Sequence, residues 1–133
     1  MSGPSEQKNL VRQWTEKAEQ DLLAAQRLLE AKDGNLNDAV CFHAQQSAEK
    51  YLKALLVNLD IEVPYTHDLR LLLELAGPKS RLDLATLPVF GLNRYAIQAR
   101  YPGDWEPIER PEAEEAVAAA RAVRKAVIER LKG

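Results

Sequence analysis

Four polar side chains between Ala39 and Leu59 have the types and spacing of an anion-binding surface. They recur at intervals of three and four residues, so on a helix they form one narrow line. We call this line the polar stripe, and its members are His43, Gln46, Lys50 and Lys53. Imidazole, amide and ammonium groups all donate hydrogen bonds, and phosphate oxygens accept them. The polar stripe therefore predicts a site for an anion or for RNA; the alternative is a helix face that only contacts solvent.

The apolar residues of the same segment gather on roughly the opposite side of that helix. At about 100° per residue they form one face, which indicates a core-facing helix. These residues are Ala44, Ala48, Tyr51, Leu52, Leu55, Leu56 and Leu59. Cys41 falls with them, which predicts a buried, inert thiol rather than a nucleophile.

A second group of candidates lies about fifty residues further along the chain. Arg94 and Tyr101 are seven residues apart, so they share one face of the helix predicted there, from about Val89 to Arg100. A guanidinium directs two donors toward phosphate oxygens, which makes Arg94 a candidate phosphate ligand. The alternative is an ion pair to Asp104 or Glu106 that fastens the following loop. Further candidates in this group are Arg100 and Asp104.

The two histidines are the chain's only imidazoles. His67 and Asp68 stand where a third helix is predicted to open. In the functional interpretation, His67 faces the same groove as His43; in the alternative, it only fixes the loop before the helix. The tryptophans, Trp14 and Trp105, are predicted to fill the core or an interface rather than to stack on bases.

Several kinds of chemistry lack the residues that they need. The six glycines are scattered and form no phosphate-binding loop, which argues against ATP hydrolysis. Cys41, His43 and His67 have no paired ligand spacing, so no zinc or other metal site is expected. No strained serine or cysteine turn accompanies the histidines, which argues against a nucleophilic triad. We therefore expect no cofactor.

Length, charge and composition limit the number of domains and the kinds of partner that are expected. A chain of 133 residues predicts one domain, and a formal net charge of −2 predicts no global attraction to nucleic acid or to an anionic membrane. One cysteine excludes an intramolecular disulfide and fits a reducing compartment. No secretory leader and no long apolar run occurs, so a cytoplasmic location is expected. We assign residues 1–7 to a flexible lead-in and 8–132 to a single helical domain.

Apolar residues in the first sixty positions recur every three or four residues, which predicts two long helices. The first runs from about Glu6 to Ala31, and Gly34 supplies the left-handed conformation that ends it. The second is capped by Asn37 or Asp38. A connection this short makes the two helices antiparallel neighbours.

Prolines and glycines divide the rest of the chain. Pro64 breaks the second helix, Thr66 caps a short third helix, and Gly77-Pro78 stops it. A short helix is expected near residues 82–87, ahead of the one that starts near Val89. Pro111 opens the last helix at its first position. The sequence therefore predicts an all-α fold, an up-and-down bundle of four to five helices.

Three segments carry a family resemblance. They are FHAQQSAEKYLKALL (Phe42–Leu56), THDL (Thr66–Leu69) and RYAIQARYPGD (Arg94–Asp104). Together they resemble a HEPN domain, a small helical domain of prokaryotic toxin–antitoxin modules that also occurs beside minimal nucleotidyltransferases. Ribonucleases of that family carry Arg, four residues, His, one residue, Tyr. Arg94 and Tyr101 fit, but Ala99 stands at the histidine position and can neither give nor take a proton, which implies loss of that cleavage chemistry.

The first functional hypothesis is a noncatalytic, nucleotide-binding HEPN-type module. The resemblance implies that it forms a homodimer and partners a separately encoded minimal nucleotidyltransferase in a toxin–antitoxin-like pair. Its groove would be lined by His43, Gln46, Lys50, Arg94 and Tyr101, with Lys53, His67, Arg100 and Asp104 as additional members. The alternatives are an RNA-cleaving toxin whose catalytic base has moved to His43 or His67, and a purely structural helical dimer. No membrane partner is expected.

Overall fold

The computed structural model describes residues 3–82, 89–96 and 106–132. These residues form five α-helices. They are α1 (Pro4–Glu30), α2 (Asn37–Asn58), α3 (Leu69–Ser80), α4 (Phe90–Asn93) and α5 (Arg110–Leu131), with a 3₁₀ turn at Gly34–Leu36. The described residues contain no strand, so the predicted all-α bundle is confirmed. Among these helices, none is long and apolar enough to cross a membrane.

Helix α2 lies at the centre of the bundle. It packs against α1, α5 and α3, and the predicted apolar face is buried in those contacts, except that Leu59, which follows the helix, is partly buried. The largest fully buried side chains of α2 are Tyr51, Leu52, Leu55 and Leu56. Burying each contributes roughly 1.5–3 kcal/mol, so this helix supplies much of the stability of the fold. Cys41 is buried with them, as predicted.

The connection between α1 and α2 differs from the prediction in its caps. Lys32, with a φ of 55°, adopts the left-handed conformation expected of Gly34, which lies instead in the 3₁₀ turn. Neither Asn37 nor Asp38 caps α2 with its side chain. The Asn37 side chain instead donates to the carbonyl of Ile108 over 2.9 Å. Asn37 thus makes a long-range hydrogen bond instead of a local helix cap. A bond of this kind cannot be deduced from the spacing of residues in the sequence. At its other end, α1 begins at Pro4, so residues 4–7 of the predicted lead-in are helical.

Helix α3 begins and ends later than predicted. Its cap is Asp68, whose carboxylate accepts a backbone N–H of the first turn over 3.0 Å. Thr66, the predicted cap, instead accepts from the N–H of Asp68 over 3.1 Å. The helix continues through Pro78 to Ser80, because a proline in the last turn removes only one of its N–H groups. Arg81 then ends it in the left-handed conformation, with a φ of 61°.

Helix α4 is much shorter than predicted, because the chain turns at Arg94 and Tyr95 instead of continuing as a helix to Arg100. The predicted helix from about Val89 is therefore interrupted after Asn93, and Tyr101, with which Arg94 was predicted to share a face, lies outside the described residues. Residues 97–105 lie outside the described residues, as does the helix expected near 82–87 apart from Leu82, which is not helical. Pro111 lies second in α5, one position later than predicted.

Candidate functional site

Two members of the polar stripe, His43 and Lys50, face a carboxylate from α1. Asp21 Oδ1 lies 2.9 Å from His43 Nδ1, and Asp21 Oδ2 lies 2.5 Å from Lys50 Nζ. None of these three side chains is more than 30% exposed. We call Asp21, His43 and Lys50 the Asp21 cluster. The Asp21 carboxylate is already the hydrogen-bond partner of both side chains. Any anion that bound them would therefore have to compete with Asp21.

The last member of the stripe, Lys53, belongs to a buried ionic group. Glu49 and Lys53 have only 4% and 8% of their side-chain surface exposed, and Glu49 Oε2 lies 2.9 Å from Lys53 Nζ. Glu49 Oε1 lies 2.9 Å from His67 Nδ1, and the Gln45 amide lies 3.3 Å from the same oxygen. We call these four residues the Glu49 cluster. Lys53 is thus buried in the bundle rather than on an open polar face, with its ammonium 5.4 Å from the centre of the Trp14 ring.

Hydrogen bonds from α2 also fix the loop before α3. The Gln45 amide donates to the backbone carbonyl of His67 over 3.1 Å, and the Gln46 amide donates to the Gln45 side-chain oxygen over 2.7 Å. Gln45 itself is fully buried. Main chain and ring of His67 are therefore both held by α2, although 58% of the side chain is exposed. An exposed imidazole in a fixed position is suited to contact a ligand.

A shallow depression of about 410 Å³ lies where the loop before α3 meets α4. We call it the α3–α4 depression, and it is lined by His67, Asp68, Asn93, Arg94 and Ala96. Asn93 joins its two sides, because its side chain accepts from the Leu69 N–H and donates to the Asp68 carboxylate, each over 2.8 Å. This is the place where the structure brings two predicted site residues, His67 and Arg94, onto one surface.

The charge of Asp68 in this depression is stabilised locally. The hydrogen bond from Asn93 lowers the pKa of Asp68 below its ordinary value of 3.8; burial opposes this shift, and backbone N–H groups at the start of α3 add to it. Asp68 is therefore an ionised acceptor at neutral pH and has no proton to donate. An anion in the depression would therefore be repelled by Asp68 and attracted to Arg94.

Arg94 also borders a second cavity, of about 300 Å³, between α4 and the start of α5. Its guanidinium lies 3.8 Å from the Glu112 carboxylate, which also accepts a hydrogen bond from the hydroxyl of the buried Tyr95. Burial, and then this hydrogen bond, raise the pKa of Tyr95 well above its ordinary value of 10.0. An ion pair that fastens Arg94, the predicted kind of contact, is present with Glu112, and the predicted partner Asp104 lies outside the described residues.

The structure thus divides the predicted site between two places. His43 and Lys50 meet at Asp21, with Gln46 on the same helix, whereas His67 and Arg94 meet in the α3–α4 depression. The remaining sequence candidates, Ala99, Arg100, Tyr101, Asp104 and Trp105, lie outside the described residues.

The side chains to which the predicted site residues are hydrogen-bonded were not identified from the sequence. Asp21, Glu49 and Asn93 are each at the centre of a hydrogen-bonded group. For Glu49 a local signal exists, since Gln45, Glu49 and Lys53 recur every four residues and so form one row on a helix. Asp21 and Asn93 act on other helices, and no local spacing indicates their partners. Within the ranges that the structure describes, no group of three or more potential metal ligands occurs.

Comparison with known proteins supports one assignment. The family model described as "HEPN domain" matches residues 11–131. No match was found among curated proteins or among solved structures. The matched range includes α2, α3, α4 and α5 entirely, together with most of α1.

Proposed function

This chain belongs to the HEPN domain family, and on that premise we propose that it is a noncatalytic module that binds a nucleotide and a protein partner. The observation that carries the proposal is that Arg94 and His67 line one depression. A guanidinium with 63% of its side chain exposed can direct two N–H groups at a phosphate, and charge-assisted hydrogen bonds of this kind are among the stronger ones in proteins.

The second contact in the proposed site comes from His67. Its Nδ1 is held by Glu49, which leaves Nε2 as the ring nitrogen for a ligand. Because Gln45 fixes the backbone of the same residue, little entropy is lost when the ring makes a new contact. Gln46 and the two donors of the Asp21 cluster extend the polar surface along α2 but do not line the depression.

An arginine substitution tests the binding site. We expect Arg94→Gln to weaken binding of ATP about tenfold or more, because it removes a charge-assisted contact to phosphate. Calorimetric titration of the purified protein with a panel of nucleotides at low and high salt measures this, and binding of the wild type should weaken with salt. Arg12→Gln is the matched control, since Arg12 is similarly exposed, pairs with one carboxylate and does not line the depression. Equal affinities of both variants, or no nucleotide binding by the wild type, would contradict the proposal and favour a purely structural dimer.

The partner part of the proposal comes from the family. HEPN domains occur beside minimal nucleotidyltransferases, and we propose that this chain pairs with such a protein in a toxin–antitoxin-like module. A small nucleotidyltransferase encoded by the neighbouring gene should then co-purify with it from a co-expressing strain. Absence of such a gene, or separate elution of the two proteins, would contradict this part alone.

A homodimer is the next element of the proposal. Leu71 and Leu75 lie one turn apart on α3 and are exposed, as is expected of an apolar contact with a second chain. We expect light scattering at tens of micromolar to give the mass of two chains, and the double variant Leu71→Glu/Leu75→Glu to give the mass of one, because the glutamates would be desolvated at the interface. Leu23→Glu, on an exposed leucine of α1, should remain dimeric. A monomeric wild type would refute the dimer.

RNA cleavage is the second candidate function, and the hydrogen bond between His67 and Glu49 favours it. A carboxylate that holds one ring nitrogen orients the other as a proton acceptor, and Arg94 lines the same depression. Cleavage also needs an acid that protonates the leaving oxygen. Asp68 cannot serve, because its lowered pKa keeps it ionised at neutral pH, and Ala99 replaces the histidine of the ribonuclease motif.

We therefore expect the purified protein to leave a fluorescently labelled RNA oligonucleotide uncleaved, at the level of a His67→Ala variant. Gel analysis of the RNA after prolonged incubation makes the comparison, with His43→Ala as a second variant. Cleavage by the wild type that either histidine substitution abolishes would make the chain an enzyme with a displaced catalytic base.

A further inference from the structure

A fully exposed aromatic ring stands next to the α3–α4 depression. Tyr65 lies in the loop between α2 and α3, and its side chain is as accessible as in an isolated peptide. Its ring centre lies 6.4 Å from that of His67, with the planes inclined by 59°. Both other tyrosines that the structure describes, Tyr51 and Tyr95, are buried and hydrogen-bonded to carboxylates. Tyr65 thus differs from them in presenting its ring to solvent.

The loop that carries Tyr65 is held on both sides. Pro64 restricts the backbone immediately before it. After it, the Thr66 hydroxyl accepts from the Asp68 N–H over 3.1 Å, and buried Gln45 and Glu49 fix the main chain and ring of His67. An exposed ring on an anchored loop loses little freedom when a planar ligand stacks on it.

We propose that Tyr65 and His67 form a platform for the base of a nucleotide. The base stacks on the exposed Tyr65 ring and contacts the inclined His67 ring at its edge, and Arg94 holds the phosphate of the same nucleotide. The platform rests on the proposed nucleotide-binding function and adds to it the part of the ligand that is recognised. Every base has a flat aromatic face, so stacking on tyrosine or histidine accepts different bases. The cation at Arg94, which lines the depression together with His67, supplies the complementary contact to the phosphate. The ligand class is therefore a nucleotide rather than a simple phosphate ester.

The test separates the base from the phosphate. ATP and ribose 5-phosphate are titrated into the wild type and into Tyr65→Ala, Tyr65→Phe and Tyr65→Trp. We expect Tyr65→Ala to bind ATP at least about fivefold more weakly, with binding of ribose 5-phosphate unchanged. Tyr65→Phe and Tyr65→Trp keep an aromatic face and should bind ATP within about twofold of the wild type or better. Leu23→Ala, at an exposed apolar residue of α1, is the control for loss of surface area.

A fluorescent base analogue gives a second measurement. The emission of a 2-aminopurine ribonucleotide falls when its base stacks, so it should fall on binding to the wild type and fall less with Tyr65→Ala. If ATP binds in a way that depends on Arg94 but is equally strong in Tyr65→Ala, the platform is refuted while the proposed function stands. If the wild type binds no nucleotide, the proposed function fails and the platform with it. Loss of the dimer in Tyr65→Ala with unchanged ATP affinity would also refute the platform and assign Tyr65 to the protein interface.

Discussion

Replacing Glu49 with alanine is expected to lower the free energy of unfolding by about 3 kcal/mol or more. Glu49 is the acceptor for Lys53, which is buried, and for His67, and its removal leaves an ammonium inside the bundle without its carboxylate. Breaking a buried pair by removing one partner is strongly destabilising, because the remaining charge has lost water without compensation. Urea unfolding followed by circular dichroism at constant pH measures the difference.

Three further variants test whether this loss of stability is caused by the removal of the Glu49 charge. Glu74→Ala removes an exposed glutamate that pairs with Arg70 across one helical turn, and it should change stability by less than about 0.5 kcal/mol. Glu49→Gln keeps the shape but not the charge and should still be destabilising. Adding Lys53→Met to Glu49→Ala removes the unpaired ammonium and should recover part of the loss. A Glu49→Ala protein as stable as the wild type would show that the Glu49 cluster does not support the fold.

Replacing Asp21 with alanine is expected to cost about 2 kcal/mol of stability, since hydrogen bonds to charged groups contribute roughly 1.5–3 kcal/mol. Asp21 joins α1 to α2 through His43 and Lys50, and both donors are half-buried. Glu16→Ala is the matched control on α1, because Glu16 is exposed and pairs only weakly, at 3.9 Å, with Arg12. Thermal or urea unfolding of the two variants gives the comparison.

The same Asp21 variant tests where the nucleotide binds. The proposed site is the α3–α4 depression, so ATP affinity should stay within about twofold of the wild type after correction for any unfolded fraction. The polar stripe as first predicted gives a different expectation. There, removal of the competing carboxylate would release His43 and Lys50 for phosphate, and ATP would bind more tightly. A clear gain in affinity would therefore return the site to α2.

The Glu49 cluster links stability to the proposed site. One carboxylate holds Lys53 in the interior and orients His67 at the surface, so a substitution there is expected to affect both folding and binding. A residue of this kind acts on a ligand through another residue. The ion pair between Arg94 and Glu112 is different, since it is exposed, and its loss alone should change stability little.

The sequence by itself determined the helical class and the position of the main helices. The period of apolar residues is a local property, and it located α1, α2 and α5 to within a few residues and identified the buried face around Tyr51. Three short segments also sufficed to suggest the HEPN family, which the match over residues 11–131 confirmed. Helix ends were less well predicted, because Lys32 and Arg81 adopt left-handed conformations that side-chain type alone does not favour.

Only the tertiary structure decided which predicted donors meet an acceptor and which share a surface. Asp21 is 22 residues from His43 and 29 from Lys50, and Asn93 is 25 from Asp68. These contacts depend on the register of one helix against another, which the packing of whole apolar faces sets. The helical period places a side chain on a face of its own helix but does not show what another helix presents to that face. For that reason Lys53, predicted on an open polar face, is buried beside Glu49, while Arg94 and His67 meet in one depression.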